Sequence, residues 1–89
     1  MRKILKYTLE TVDSQVIRIK SGEIISVENQ NEKIVVYVKT DGCIAEVKRN
    51  FLIIGTGHEL REDIDQFTFL GTVKLADGAL MFHVFYGRS

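Results

Sequence analysis

Two Asp-Gly pairs, Asp41-Gly42 and Asp77-Gly78, punctuate a chain made almost wholly of strand-forming segments. They constrain the fold more than any other feature. A type I′ hairpin turn needs positive φ at both central residues, and Asp-Gly supplies it at low steric cost. Each pair therefore predicts two antiparallel strands in a fixed register. Around Asp41-Gly42, Thr40 would face Cys43, Val38 Ala45 and Val36 Val47, with Tyr37 opposite Glu46 and Val35 opposite Lys48 on the other side. Around Asp77-Gly78, Leu75 would face Leu80, Val73 Phe82, Gly71 Val84 and Phe69 Tyr86. The opposite side of that second hairpin sets Lys74 against Met81, Thr72 against His83 and Leu70 against Phe85. Both sides are largely apolar, and a chain of 89 residues has little with which to bury both. One side is expected to meet another subunit or a ligand. Leu70, Met81 and Phe85 are the candidate interface residues.

Strand signals continue through the rest of the chain. Ile4–Leu9 reads as a first strand. Residues 15–20 alternate Ile17 and Ile19 with Arg18 and Lys20, the pattern of a half-buried strand. Ser21-Gly22 is a turn, residues 23–28 a further strand, and Asn29-Gln30-Asn31-Glu32 a polar hairpin loop. Lys33–Thr40 is apolar on both sides, which places it centrally in a sheet. A long apolar strand ends at Phe51-Leu52-Ile53-Ile54. One short helix is predicted near residues 57–65. Thr56 and Glu59 have the spacing of a capping box, and Leu60 and Ile64 share one helical face. The expected fold is mainly all-β: a compact antiparallel sandwich or half-open barrel of six to seven strands with that one helix, as a single small domain over residues 1–89.

Composition excludes several functions. Twelve basic side chains balance twelve acidic ones, so the formal charge is zero. Bulk binding of DNA or RNA needs a basic stripe that displaces counterions, and none is present. A polybasic membrane contact is excluded on the same ground. Near-zero net charge gives little colloidal repulsion, so a small β domain would protect its edges by forming a homo-oligomer. Cys43 is the one cysteine, which rules out an internal disulfide and suits a reducing compartment. No stretch has the length of a signal peptide's apolar region or of the ~20-residue membrane helix. The expected location is the cytoplasm.

Candidate chemistry concentrates in Gly55-Thr56-Gly57-His58 and around His83. Backbone amides at a glycine-rich turn entering a helix can cradle an anion, and a histidine beside them can add a hydrogen bond or charge. The plain alternative is a tight turn with a capping threonine; the lysine and longer glycine pattern of a P-loop are missing. His83 stands in an apolar strand opposite Thr72. It is either a histidine satisfied by a hydroxyl or an imidazole facing a ligand in an apolar pocket. The candidate ligand-binding residues are Thr56, Gly57, His58, Arg61, Lys74 and His83, for a small anionic, nucleotide-like ligand. No metal site and no cofactor are expected, because no short spacing links His58, His83 and Cys43. No catalytic residue is expected either. Cys43 has no neighbouring base in sequence, and Glu62, Asp63 and Asp65 read as a solvated face. Lysines and arginines along the strands, among them Lys48 and Arg49, read as edge protection.

Four segments carry a resemblance: Lys6-Tyr7-Thr8-Leu9, Ile54-Gly55-Thr56-Gly57-His58, Phe69-Leu70-Gly71-Thr72 and Gly78 to Phe85. With them the chain resembles a family of small bacteriophage proteins that carry a domain of unknown function. The resemblance implies a phage origin and a small all-β fold, and it carries over no catalytic residue. Its analogy of context suggests an accessory binding protein, such as an anti-defence factor that occludes a host protein or sequesters a signalling nucleotide. The alternative is an interaction or structural module acting by strand pairing or through its apolar C-terminal hairpin.

Overall fold

A computed structural model describes residues 1–88. β-Branched and aromatic residues fill seven strands: β1 (Ile4–Leu9), β2 (Ser14–Lys20), β3 (Gly22–Gln30), β4 (Lys33–Thr40), β5 (Glu46–Gly55), β6 (Thr68–Leu75) and β7 (Leu80–Arg88). They form two antiparallel sheets, one ordered β1-β4-β3 and the other β2-β5-β7-β6. The sheets stack as an open sandwich, and the shortest dimension, 16 Å, has room for two layers about 10 Å apart. Among the described residues no helix is long and apolar enough to cross a membrane.

Period-two alternation decides which side of each strand faces inward. Ile34, Val36 and Val38 of β4 are fully buried and meet Phe51 and Ile53 of β5, Val84 of β7 and Val73 and Leu75 of β6 in one cluster. β4 lies between β1 and β3, as its two apolar sides predicted, and Val35 on its outer side is also buried.

The chain changes sheets three times, at residues 10–13, at Ser21 and at 41–45. The last two crossings are tied together. The Ser21 amide donates to the Ala45 carbonyl at 3.0 Å and the Asp41 amide to the Ser21 carbonyl at 3.1 Å. The Asp41 carboxylate accepts the Ser21 hydroxyl at 2.7 Å and the Cys43 amide at 2.8 Å. These bonds, the Ser21 hydroxyl's foremost, hold the Asp41 carboxyl below its usual pKa. They also correct the first Asp-Gly expectation. β4 and β5 do not pair with each other, because the Asp41 side chain folds the segment into a corner that delivers β5 to the other sheet.

The second Asp-Gly turn forms as predicted. Asp77 and Gly78 both take positive φ, 55° and 89°, and the Ala79 amide closes onto the Ala76 carbonyl at 3.0 Å. Pairing follows the expected register from Leu75↔Leu80 to Gly71↔Val84. A bulge between Phe69 and Gly71 then shifts it, so Phe69 pairs with Phe85 rather than Tyr86. The polar loop after β3 is a two-residue turn, with Asn31 at φ 55° and Glu32 at φ 64°. Glu32 also bonds the other turn, its carboxylate accepting the Ala76 amide at 2.7 Å. Beside it, the Asn29 side chain donates to the Lys74 carbonyl at 2.8 Å, which joins β3 to the free edge of β6.

The helix expected near residues 57–65 is reduced to one 3-10 turn, Ile64–Gln66, at the end of that span. Thr56 caps nothing, since its hydroxyl is engaged by His83. Residues 56–67 instead form a loop along the outer side of the four-stranded sheet. The Phe67 ring lies on Gly87, where an added Cβ would come within 2.8 Å of it.

Candidate functional site

The outer side of the four-stranded sheet gathers most of the residues singled out from sequence. His83 projects there from β7, because its neighbours Phe82 and Val84 pack inward. Its imidazole is held at both nitrogens: Nε2 lies 2.8 Å from the Thr56 hydroxyl and Nδ1 2.9 Å from the Thr72 hydroxyl. A neutral imidazole has one N–H and one lone pair, so one nitrogen donates to a hydroxyl oxygen and the other accepts a hydroxyl proton. The bridge pins the start of the outer loop to β6 and β7. It is the hydroxyl-satisfied arrangement, with a second threonine that sequence reasoning did not pair with His83.

Thr56, Gly57, His58 and His83 line one hollow of about 230 Å³, whose remaining walls include Ile54, Leu60, Phe69 and Phe85. The loop offers this hollow few free donors. The Thr56 amide is bonded to the Met81 carbonyl at 3.2 Å and the His58 amide to the Gly55 carbonyl at 3.1 Å. The His58 ring lies against Gly55. The other two predicted ligand residues stand elsewhere. Lys74 lies on β6 across from Met81 and lines none of these walls. Arg61 turns to a neighbouring notch, where it grips both carboxylate oxygens of Asp63, at 2.9 and 2.8 Å, and stacks 5.5 Å from the Phe67 ring centre. The Arg61 guanidinium holds the Asp63 carboxyl below its usual pKa.

The expected interface residues also separate. Met81 and Phe85 are half-buried on the outer side. Leu70 falls in the bulge and packs on the core instead. Phe69 takes its place outside: it is 54% exposed and meets Phe85 edge-on, with ring centres 5.3 Å apart. Leu60, more than a third exposed, extends the apolar strip. Cys43 is exposed at the sheet-crossing corner, away from both histidines. Among the described residues, no three histidine, cysteine or acidic side chains converge as metal ligands.

Sequence reasoning missed one arrangement. Arg49 lies in the first half of β5, Arg88 ends β7, and the two are direct cross-strand partners. Only the pairing of distant strands brings them together, so no local pattern could reveal it. No curated protein and no solved structure matches the chain. The family described as "Domain of unknown function (DUF7352)" matches residues 1–89, and the protein belongs to it.

Proposed function

We propose that this protein is a small accessory binding protein without catalytic activity, of the kind bacteriophages encode, and that it works as a self-associating module. The observation that carries this reading is the uncovered aromatic pair Phe69–Phe85. Leu60 and Met81 continue it along the outer side of the C-terminal hairpin. A second copy of the chain suits this strip best. The strip carries little charge, Lys74 at its border being the exception, so two copies can meet without opposing like charges. A two-fold pairing would set each Phe69–Phe85 pair against its equivalent.

Native mass spectrometry tests the reading. The expected species is a defined multiple of the 10.2 kDa chain, reduced to the single chain by Phe69→Asp. A wild-type protein that stays a single chain across the concentration range refutes it.

A second reading, a protein that sequesters a small anionic ligand as an anti-defence factor would, is supported by a different place in the fold. The excess of arginine where β7 ends beside β5 supplies the positive charge that the His83 hollow lacks.

A further inference from the structure

At the end of the four-stranded sheet a notch of about 540 Å³ runs from Arg61 and Phe67 of the outer loop round the strands to Arg49 and Arg88, whose register places them on the inner side with Phe51 and Tyr86. Among the described residues, Arg49, Arg61 and Arg88 line it, with Asp63 as the one carboxylate. That carboxylate is fully engaged by Arg61. Arg49 and Arg88 face each other directly across β5 and β7. Directly opposed partners hold their Cβ atoms about 4.5–5.5 Å apart, and like charges there are destabilising. Among the described residues the ion pairs are Lys39–Glu23 and Arg61–Asp63, so no side chain offsets the two opposed charges. Arg49 spends one donor on the Lys48 carbonyl, at 3.2 Å. Among the described residues, the rest of its fork and that of Arg88 have no other hydrogen-bond partner, and both residues line the notch.

We propose that this notch is an oxyanion site in which Arg49 and Arg88 clamp a phosphate-type group. A guanidinium fork matches the oxygens of a phosphate in pairs, and charge-assisted bonds of that kind are the strong ones. Two such forks meet the charge of a phosphate and turn the cross-strand repulsion into attraction. The volume falls within the ~300–1,000 Å³ range of small-molecule sites, so it admits a phosphate carried on a larger molecule as well as a free one. The proposal deepens the anion-sequestering reading and rests on it. It is independent of self-association through Phe69, because the notch shares no residue with that strip.

The test is calorimetric titration at low salt with two probes, inorganic pyrophosphate and adenosine diphosphate. Wild type is compared with Arg49→Gln, Arg88→Gln and Arg88→Lys, with thermal unfolding and native mass recorded on the same samples. Saturable binding by wild type should weaken at least tenfold in each glutamine variant and fall with added salt. Arg88→Lys keeps the charge but loses the fork, so its binding should lie between. It also serves as the readout if a glutamine variant does not fold. Ligand-free Arg88→Gln should unfold at a higher temperature than wild type, because the opposed charge is gone. Equal affinity for the two probes assigns the site to the phosphate group itself, and tighter diphosphate-nucleoside binding assigns it to a nucleotide. No binding of either probe by wild type, or binding unchanged in the arginine variants, overturns the proposal. Loss of self-association with probe binding intact refutes only the module reading.

Discussion

Gly87→Ala should loosen the loop that builds both hollows. An added Cβ at this position would come within 2.8 Å of one Phe67 ring carbon and 3.0 Å of another, closer than real Cβ atoms approach. The ring belongs to a surface loop and can move, so the backbone of β7 need not shift. Two costs bound the outcome. Forced overpacking costs about 1–3 kcal/mol when the surroundings hold firm. Ejecting Phe67 forfeits its burial, worth about 1.5–3 kcal/mol for a fully buried side chain and about half that for one already half exposed. The cheaper route wins, so the expected loss is about 1 kcal/mol. For a domain of this size that lowers the melting temperature by about 4–8 °C. Displacing Phe67 also removes the surface on which Arg61 stacks, so proteolytic cleavage within residues 56–67 should accelerate. Thermal unfolding and limited proteolysis read both effects. A melting temperature at or above wild type, with cleavage unchanged, would refute the seating of Phe67 on Gly87.

Phe51→Ala removes the largest fully buried side chain and should cost about 3–5 kcal/mol in urea unfolding, a large part of the ~5–10 kcal/mol such a domain holds. A loss below ~1 kcal/mol would contradict its place between the sheets. Ala76 takes φ 52° and leads into the β6–β7 turn. Ala76→Gly should relieve about 1–2 kcal/mol of left-handed strain, less about 0.5–1 kcal/mol of added chain entropy, and so raise the melting temperature. A lower melting temperature refutes that strain. Asp41 has its folded-state pKa depressed from 3.8, so it stabilises the fold above that pH and loses this contribution as pH falls through the folded value. Ser21→Ala should be less stable than wild type near neutrality, and the gap should narrow below pH 3.8. A gap that stays constant into acid contradicts the Ser21–Asp41 bond.

What sequence revealed and what it hid divide by range. Lys33–Thr40 was legible as a central strand because two apolar sides need cover from both directions, and β1 and β3 flank it. Asp77-Gly78 was legible because turn geometry and strand burial agree there. Asp41-Gly42 carries the same local signal, yet its side chain bonds Ser21, twenty residues earlier, and turns a hairpin into a corner. The Leu70 bulge was hidden for a related reason. Alternation predicts sides only while the ladder is regular, and one extra residue exchanges Leu70 and Phe69 between core and surface. The capping box at Thr56 failed because a competing acceptor and donor, His83, stands 27 positions away. The candidate site was legible in part: Thr56, Gly57, His58 and His83 converge, while Arg61 and Lys74 do not join them. The opposed arginines were illegible, because their meeting depends on β5 pairing with β7.

Self-association through the outer side of the C-terminal hairpin is the central claim, and amide chemical-shift mapping on dilution locates it directly. The account predicts that signals from Ile54, Leu60, Phe69, Met81 and Phe85 move together with concentration while those of β1 and β3 stay fixed. Concentration-dependent shifts confined to the edge of β1 or β3, or none at all, would contradict it.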